Sequence, residues 1–487
     1  MGMQNRDQYE IVVGLEIHAQ LATESKIYAA DANLYGNEPN TNVSVITLAH
    51  PGTMPKLNKK VMEYAIKMGL ACQSNITRLN IFCRKNYFYP DSPKGFQLTQ
   101  DKTPICVGGK IDINTPTRGE IGIRLNRIHI EEDAGKSIHQ ANEKDTLIDL
   151  NRAGVPLIEI VTEPDIRSSE EAAAVVTEVR KIVRFLGICD GNMEEGSLRC
   201  DANVSIMPRG SDRFGNKVEL KNMNSIRNVK NAIDHEVDRQ IQLVESGEKI
   251  ISETRTYNPN TGESQGMRTK EELNDYRYFP EPDLSPVEVK EEWLEQIRKD
   301  MPVLPAELKV KYMEEYQLPE YDASFLSETR AISDFFNELC QLTTNYKAAS
   351  NWMMGPVKSW LNEQGADMAT FPLTATRMAE LISLINDGKV NFTIASQQLF
   401  KAMIAEPETS AEKLAKKLKL TVQKDSGFLE EVVDEILKSN PDKVKAYHNG
   451  KKNLIGMFMG ELMKETKGKA DPKTAKETIL KKLEQHK

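Results

Sequence analysis

The segment Ile121–Lys136 constrains the fold most, because it alternates like a strand and then ends in consecutive carboxylates. Apolar side chains occupy every second position up to Leu125. The apolar phase then moves by one residue, to Ile128 and Ile130. Such a shift exchanges the two faces of a strand, so the pattern predicts a β-bulge near Asn126–Arg127.

Three adjacent carboxylates, Glu131, Glu132 and Asp133, end this strand and repel one another. A bound divalent cation would remove the repulsion. A solvated acidic turn is the simpler explanation of an isolated run of this kind. Strand alternation favours Glu131 over Glu132 for the polar face, although the turn at Asp133–Gly135 can redirect either glutamate.

The length and composition predict a globular protein of several domains. A chain of 487 residues is too long for one core, so we expect two to four domains. The sequence has no apolar run long enough to span a membrane and no signal-peptide pattern, so we expect a cytoplasmic protein. Its six cysteines form no CxxC pair, which predicts neither a disulfide framework nor a thiolate zinc site.

Charge is distributed unevenly along the chain. Residues 441–487 contain 12 lysines and 6 acidic residues, a balance of +6, whereas the whole chain carries −8. The preceding residues are therefore strongly acidic. A basic tail on an acidic body is typical of a tail that meets a polyanion, and a solvated lysine-rich helical surface explains it equally well.

A second strand is predicted at Tyr9–Leu21, where polar and apolar residues alternate without a break. Glu16 and His18 share its polar face. Residues two apart on a strand lie roughly 6.5–7 Å apart, so the two side chains can converge on one ion or phosphate. A solvated sheet face is the alternative explanation of this pair.

Three further strands place charged side chains opposite an apolar face. In Val155–Glu163, Glu159 is flanked by apolar residues and needs a partner if it is buried. Ser197–Ile206 carries Asp201 on its polar face, and Lys217–Ser225 carries Glu219 and Lys221. These patterns predict a mostly antiparallel sheet with one covered face and one open face of mixed charge.

The open face favours Mg²⁺ and a nucleotide as ligands. Several carboxylates with a single histidine suit Mg²⁺ better than zinc. Lysine and arginine interspersed among them indicate nucleotide phosphates. The sequence contains neither GxxxxGK[ST] nor GxGxxG, so a P-loop or dinucleotide fold is not predicted. A sheet-borne ATP site remains, in the general manner of glutamine synthetase.

Elsewhere the pattern predicts a loop rich in basic and aromatic residues, and many helices. The loop Arg84–Gln97 combines basic and aromatic residues and suits base stacking, or else forms a packed aromatic corner. Strand patterns give way to helices after about Trp293. The predicted helices are Lys60–Ala71, Ser168–Gly187 with a Ser168/Glu171 capping box, one that begins at Ser225, Trp293–Arg298, Pro305–Tyr316, Ser324–Cys340, Tyr346–Asn362, Thr374–Asp387 and Ala395–Ala405.

Ten motifs in order closely resemble the B subunit of the bacterial and organellar aspartyl/glutamyl-tRNA amidotransferases. They span nearly the whole chain: GLEIHAQL (14–21), RKNYFYPDSPKG (84–95), IHIEEDAGKS (128–137), NRAGVPLIEIVTEPD (151–165), GSLRCDANVS (196–205), ELKNMNS (219–225), ETRTY (253–257), GMRTKEE (266–272), DYRYFPEPDL (275–284) and ELMKETKGKADP (461–472).

The resemblance implies a three-subunit enzyme that makes Gln-tRNA(Gln) from Glu-tRNA(Gln), and often Asn-tRNA(Asn) from Asp-tRNA(Asn). This subunit would phosphorylate the side-chain carboxylate with ATP and Mg²⁺, and an amidase (A) subunit would supply ammonia; a small C subunit completes the heterotrimer. The implied fold is α+β: a cradle-shaped, mostly antiparallel domain at residues 1–295, a helical domain at 296–407 and an all-α, YqeY-like tail at 408–487.

The resemblance also implies roles for individual residues. The expected catalytic set is Glu16, His18, Glu131, Glu132, Glu159 and Asp201, of which all but Asp201 are expected to bind Mg²⁺. The expected ATP and acceptor contacts are Lys85, Tyr87, Arg152, Glu219, Lys221 and Arg255. The lysines expected to contact the tRNA backbone are Lys451, Lys452, Lys467 and Lys469.

One departure from the family pattern concerns zinc. Many members carry CPVC where this chain has Ser44-Val45-Ile46-Thr47, and serine and threonine are not zinc-thiolate ligands. We therefore expect no structural zinc. Two other functions remain open at this point: a non-catalytic tRNA-binding subunit, and a glutamine-synthetase-like ligase that acts on a small acid.

Overall fold

The computed structural model describes residues 6–139, 145–269, 276–421, 426–466, 470 and 472–485. The chain divides into two compact units, Met1–Leu304 and Pro305–Lys487. Strands lie in the first unit and helices make up the second. In the described part of the chain, no helix combines the length and the apolar character needed to cross a membrane.

The strands of the first unit alternate between buried and partly exposed residues. In chain order they are β1 Tyr9–Gln20, β2 Asn75–Ile76, β3 Leu79–Asn80, β4 Cys83–Asn86, β5 Phe96–Thr99, β6 Cys106–Val107, β7 Lys110–Thr115, β8 Gly119–Glu132, β9 Lys136–His139, β10 Thr146–Asp149, β11 Pro156–Thr162, β12 Leu198–Pro208, β13 Val218–Lys221, β14 Glu253–Asn258, β15 Glu263–Thr269, β16 Phe279–Pro280 and β17 Val287–Glu288.

Among the described residues, 13 of these strands form one sheet, in which β1 lies between β11 and β12. Its main order is β15-β14-β13-β12-β1-β11-β8-β5-β4-β16. Its pairs are antiparallel apart from β13 with β14, which is parallel. The prediction of a mostly antiparallel sheet is therefore confirmed.

The predicted bulge is confirmed in β8. Val161 of β11 pairs with Arg127, but the next residue, Thr162, pairs with Leu125. Asn126 is thus the extra residue of the ladder. Because the bulge shifts the alternation by one position, it turns His129 and Glu131 to the polar face while Ile128 and Ile130 remain fully buried.

Helices α1 Lys59–Ala71, α2 Ser169–Phe185 and α3 Ile226–Glu245 share one hydrophobic core with the apolar face of the sheet. Helix α4, Glu291–Lys299, packs against α1. Ser168 and Ser225 cap α2 and α3 by accepting bonds from the amides of Glu171 and Asn228, as the sequence predicts. Covering one face in this way leaves the polar side chains on the other.

The helices of the second unit are shorter than the pattern predicts. They are α5 Pro305–Glu314, α6 Glu320–Leu326, α7 Arg330–Leu342, α8 Tyr346–Trp352, α9 Lys358–Gln364, α10 Ala375–Asn386, α11 Phe392–Ile394, α12 Phe400–Ala405, α13 Ala411–Lys417, α14 Ser426–Ser439, α15 Pro441–His448, α16 Ile455–Glu465 and α17 Pro472–Gln485.

The prediction of one helix over Ser324–Cys340 is wrong. Thr329 begins a new helix, α7, because its hydroxyl accepts the amide of Ile332. The predicted helix Tyr346–Asn362 contains a π-helical turn at Met353–Val357, which includes Pro356. A proline has no amide hydrogen to donate, so a local change of helical register accompanies it.

The last part of the chain has a core of its own, formed by buried residues between Leu429 and Leu483. Helix α13 instead packs against α10, and the amide of Ala411 donates to Glu380. The division of this unit at residues 407 and 408 stays a prediction.

Two helical glycines give a matched test of the packing. A Cβ on Gly69 of α1 would lie within van der Waals overlap of Cys106 Sγ, whereas a Cβ on Gly460 of α16 would meet nothing within 4 Å. We expect Gly69→Ala to lower the free energy of unfolding by about 1–3 kcal/mol through overpacking. Gly460→Ala should raise it by up to about 1 kcal/mol, because alanine favours a helix. Thermal unfolding of both variants checks that the two changes in the free energy of unfolding have opposite signs. A Gly69→Ala variant that is more stable than the unchanged protein would contradict the close contact between Gly69 and Cys106.

Candidate active site

The polar face of the sheet brings two histidines and a glutamate into one row. His18 of β1 pairs with Glu159 of β11, and Glu159 pairs with His129 of β8. Side chains directly opposite one another in antiparallel strands point to the same face and touch. The register of three central strands therefore fixes this row.

Contacts within the row are short. His18 Nε2 lies 3.3 Å from Glu159 Oε2, and His129 Nε2 lies 3.4 Å from the same oxygen. His129 Nε2 is also 3.6 Å from Glu131 Oε2. We call His18, His129, Glu131 and Glu159 the histidine–carboxylate cluster.

Two further side chains hold Glu131. The Thr99 hydroxyl donates to its Oε2 at 3.0 Å, and Lys85 Nζ lies 3.5 Å from its Oε1. Lys85 Nζ also lies 5.3 Å from the ring centroid of Tyr276, whose ring packs edge-on against Tyr87. The predicted contact residues Lys85 and Tyr87 thus lie beside the cluster.

Burial and pairing act in opposite directions on these groups. Burial alone would raise the pKa of Glu159, but hydrogen bonds from His129 and His18 hold that pKa well below its ordinary value. Burial would lower the pKa of His129, yet its bonds to Glu131 and Glu159 raise it to about 9. A metal that binds the His129 imidazole must displace a proton, so metal affinity will fall as the pH drops below about 9.

A second group of charges lies next to the first. Asp201 of β12 pairs with Glu16 of β1, and Lys221 Nζ lies 2.5 Å from Asp201 Oδ2 and 3.1 Å from Glu219 Oε1. Asn203 donates to Glu16 Oε1 at 2.9 Å. Burial, followed by the carboxylates of Glu159, Glu219 and Asp201, raises the pKa of Glu16. Closely spaced carboxylates of this kind favour a bound cation.

Three residues of the cluster fit a metal ion. His129, Glu131 and Glu159 each offer one ligand atom, and these atoms all lie within 4.8 Å of one another. Two carboxylates with room for water and phosphate oxygens are typical of Mg²⁺ sites. Their burial explains why the carboxylates need a positive partner in this position.

Comparisons with known proteins identify the family of this chain. Two family models match, a GatB/GatE catalytic domain over residues 11–295 and a GatB domain over residues 334–483. The B subunit of the aspartyl/glutamyl-tRNA(Asn/Gln) amidotransferase of Thermodesulfovibrio yellowstonii is 48% identical over 480 residues, which cover 98% of this chain and 100% of the relative. The chain belongs to the family of amidotransferase B subunits.

Other relatives match over the same extent. The B subunit of the same enzyme in Pelodictyon phaeoclathratiforme is 48% identical over 477 residues, which cover 98% of this chain and 100% of the relative. That of Ectopseudomonas mendocina is 46% identical over 481 residues, with the same coverage. The resemblance seen in the ten motifs is therefore confirmed.

The structure brings most of the predicted catalytic residues of this amidotransferase homologue together, but not Glu132. Because successive residues on a strand point to opposite faces, Glu132 points away from Glu131. Its carboxylate accepts the amide of Leu98 at 2.8 Å and pairs with Lys94 Nζ at 2.6 Å. The metal set predicted from sequence thus included a glutamate that lies on the other side of the sheet.

His129 is the residue that the sequence prediction missed. It stands two positions before Glu131 after the bulge, so the alternation places it on the same polar face, yet the predicted catalytic set does not include it. Its pairing with Glu159 could not be read from the sequence, because it depends on the neighbouring strand.

Arg255 and Arg152 do not reach the cluster. Arg255 pairs with Leu220, whose side is covered by α3, and its guanidinium donates to Ser264 O at 2.7 Å and Glu253 Oε1 at 2.6 Å. Arg152 donates to the carbonyls of Ala134 and Gly135 and supports the turn after β8.

The remaining predicted segments are the Ser44–Thr47 turn, the loop after β4 and the lysines of the tail. Ser44 accepts the amides of Ile46 and Thr47, and the Thr47 hydroxyl donates to Asp31, so hydrogen bonds close the turn that replaces CPVC. The loop after β4 leaves Phe88 exposed. In the tail, Lys451 and Lys452 are exposed; Lys467 and Lys469 lie outside the described residues.

The metal assignment can be tested by direct binding of Mn²⁺ as a probe. We expect His129→Ala and Glu159→Gln to weaken binding about tenfold or more, because each removes one donor of a three-donor set. Glu163→Gln is the matched control. Glu163 directly follows the same strand, but its Oε1 accepts a hydrogen bond from the Asn126 side-chain amide and is not one of the three donors. Titration followed by electron paramagnetic resonance measures the affinities. Equal affinity in all variants would place the ion elsewhere.

Proposed function

We propose that this chain is the carboxylate-activating, tRNA-binding subunit of a glutamine-dependent aminoacyl-tRNA amidotransferase. It acts on Glu-tRNA(Gln), Asp-tRNA(Asn) or both, and yields Gln-tRNA(Gln) and Asn-tRNA(Asn). The observation that carries the proposal is the buried histidine–carboxylate cluster on the polar face of the sheet, in a chain whose full-length relatives bear that enzyme's name.

The chemistry calls for activation of a carboxylate. A free carboxylate is a poor acyl donor because its leaving group is oxide, and phosphorylation by ATP supplies a better one. Phosphoryl transfer depends on positioning and charge neutralisation more than on a protein nucleophile. A sheet-borne site in the manner of glutamine synthetase, within a cradle-shaped domain, meets these needs.

The charged residues divide this work. His129, Glu131 and Glu159 would hold Mg²⁺, with His18 bonded to Glu159 and orienting it. Bound Mg²⁺ would neutralise the phosphate charge of ATP. Neighbouring carboxylates outweigh burial and raise the pKa of Lys85 and Lys221, so both lysines stay protonated and can contact phosphate oxygens.

The cysteines of the chain do not offer the nucleophile of a cysteine-type glutaminase, so we infer that ammonia comes from another subunit. All six cysteines are buried. Burial raises the pKa of each, to about 12 for Cys72, Cys189 and Cys340. A buried thiol with a raised pKa is inert. The inert cysteines agree with an amidase (A) subunit as the source of ammonia. A small C subunit would complete the heterotrimer, which we propose to be cytoplasmic.

The tail supports tRNA binding. Lys451 and Lys452 are exposed, and they lie beside the small, separate hydrophobic core that the last helices of the chain form. Exposed lysines contact phosphates without reading bases, which fits recognition of a folded RNA by shape. A purely adaptor role does not explain a cluster of buried carboxylates, and a ligase for a small acid does not explain the basic tail.

Separating the two nitrogen sources tests the proposal. With Glu-tRNA(Gln), ATP, Mg²⁺ and ammonium, the chain should form Gln-tRNA(Gln) and ADP; with glutamine it should do so only when its partner amidase is present. Glu159→Gln should lower the rate on the order of 100-fold, whereas Glu163→Gln should leave it near that of the unchanged protein.

Product analysis by chromatography of the deacylated amino acid measures both rates, and circular dichroism confirms that the variants fold. Hydrolysis of glutamine by the isolated chain would contradict the proposal. So would amidation that continues without ATP.

A further inference from the structure

The motif ETRTY (253–257) lies in strand β14 and has no part in the chemistry proposed above. Successive residues of a strand point to opposite faces, so Thr254 and Arg255 lie on different sides of the sheet. Tyr257, two residues after Arg255, is buried in the hydrophobic core. Thr254 therefore lies on the polar face, where it pairs with Glu219 of β13.

Beneath the sheet, Arg255 belongs to a group of four charged side chains that joins β14 to helix α3. Glu236 of α3 is fully buried and accepts two hydrogen bonds from Arg239, each 2.8 Å long. Arg255 Nε lies 3.8 Å from Glu236 Oε2, and Arg255 Nη1 lies 2.6 Å from Glu253 Oε1. The two acids balance the two arginines, which compensates the burial of Glu236. We call Glu236, Arg239, Glu253 and Arg255 the α3–β14 clamp.

The clamp holds a strand that has little other support. Strand β14 pairs with β13 in parallel, over three residue pairs. Parallel pairing is slightly less stable per residue than antiparallel pairing, so a short parallel pair needs further contacts. The clamp supplies them from α3, and Arg255 Nε also donates to Ser264 Oγ of β15 at 2.9 Å. Groups that lie beneath the sheet thus fix the position of Thr254 above it.

On the polar face, Thr254 begins a chain of contacts that leads to Lys221. Thr254 is 2% exposed, and its hydroxyl donates to Glu219 Oε2 at 2.7 Å. Lys221 Nζ lies 3.1 Å from the other oxygen, Glu219 Oε1, and 2.5 Å from Asp201 Oδ2. One oxygen of Glu219 is bonded to Thr254 while the other faces Lys221, and this fixes the plane of the carboxylate.

Lys221 depends on its two carboxylate partners for its position. A lysine side chain has many rotamers, and holding its ammonium group at one point costs conformational entropy. Asp201 and Glu219 define that point. Without the bond from Thr254, the Glu219 carboxylate is free to rotate, and Lys221 loses one of its two anchors. A contact to phosphate weakens when the ammonium group is misplaced.

We propose that Thr254 is a positioning residue: through Glu219 it holds Lys221 at the place where the lysine meets the phosphates of ATP. The inference rests on the proposed function, in which Lys221 contacts phosphate oxygens. The motif ETRTY then acts on both sides of the sheet, because Arg255 anchors the strand from below and Thr254 orients Glu219 above. A hydroxyl that only joined two strands would not affect one substrate more than another.

Steady-state kinetics of the assembled enzyme, with one substrate varied at a time, test this. Thr254→Val nearly keeps the shape of the side chain and removes the hydroxyl. A hydrogen bond to a charged group contributes roughly tenfold or more, so we expect KM for ATP to rise about tenfold. KM for Glu-tRNA(Gln) and the affinity for Mn²⁺ alone should stay within about twofold, because Thr254 bonds neither the tRNA nor the histidine–carboxylate cluster. Thr254→Ser keeps the hydroxyl and should restore KM for ATP.

The matched control is Thr256→Val, on the same face of the same strand. The Thr256 hydroxyl accepts from Asn222 Nδ2 at 2.5 Å, so its removal should leave both KM values unchanged. Circular dichroism and sedimentation confirm that each variant folds and assembles. If Thr254→Val does not assemble, Glu219→Gln tests the same link, because it keeps the shape of the side chain but removes the charge that faces Lys221. It should also raise KM for ATP, and an unchanged value would overturn the inference.

A double-mutant cycle with Lys221→Met shows whether Thr254 acts through the lysine. In the Lys221→Met enzyme, Thr254→Val should change KM for ATP no further, because the contact that Thr254 supports is already lost. A tenfold rise that persists without Lys221 would overturn the inference. So would an equal rise in KM for both substrates, or an equal loss of Mn²⁺ affinity, since each indicates a general loosening of the sheet.

The two proposals fail in different ways. If the unchanged enzyme makes no Gln-tRNA(Gln) or Asn-tRNA(Asn), the proposed function fails whatever the Thr254 variants show. If it makes product but Thr254→Val leaves KM for ATP unchanged, only the positioning role of Thr254 fails.

Discussion

The carboxylate of Glu159 lies between two histidines in the middle of the sheet, and the arrangement of the polar face depends on it. A buried carboxylate needs a positive or hydrogen-bonding partner, and leaving one without a partner costs about 3–5 kcal/mol. Here His18 and His129 supply that partner from the strands on either side. The requirement couples the electrostatics of the site to the register of β1, β11 and β8.

The register of these strands in turn depends on the difference between the apolar face and the polar face of the sheet. Apolar residues such as Leu15, Ile17 and Ile160 are buried beneath α1, α2 and α3, so a shift by one residue would bury the charged row and expose the core. The bulge at Asn126 is the one place where β8 changes phase, and it lies just before His129. The hydrophobic core thus fixes the positions of the charged groups that carry the proposed chemistry.

Alternation in the sequence predicted the central strands, the bulge and the side of the sheet on which Glu16, His18, Glu131, Glu159 and Asp201 lie. It could not show which strands are neighbours, since pairing is set by the packing of the whole unit. For that reason the contacts of His129 were missed. Arg255 was predicted to contact ATP or the acceptor, but it does not face the site. Its strand pairs in parallel with β13, which places Arg255 beside Leu220 on the apolar side of the sheet. Glu132 came from the motif alone, against the alternation.

Transfer of labelled oxygen tests the central claim, that this polar face activates a side-chain carboxylate by phosphorylation. Glu-tRNA(Gln) carrying ¹⁸O in both side-chain oxygens is amidated with ATP and ammonium, and the inorganic phosphate is examined by ³¹P nuclear magnetic resonance. The account predicts one ¹⁸O atom in each phosphate released, because the bond between the carboxylate oxygen and phosphorus survives attack by ammonia. Phosphate without ¹⁸O, released in step with product, would contradict it.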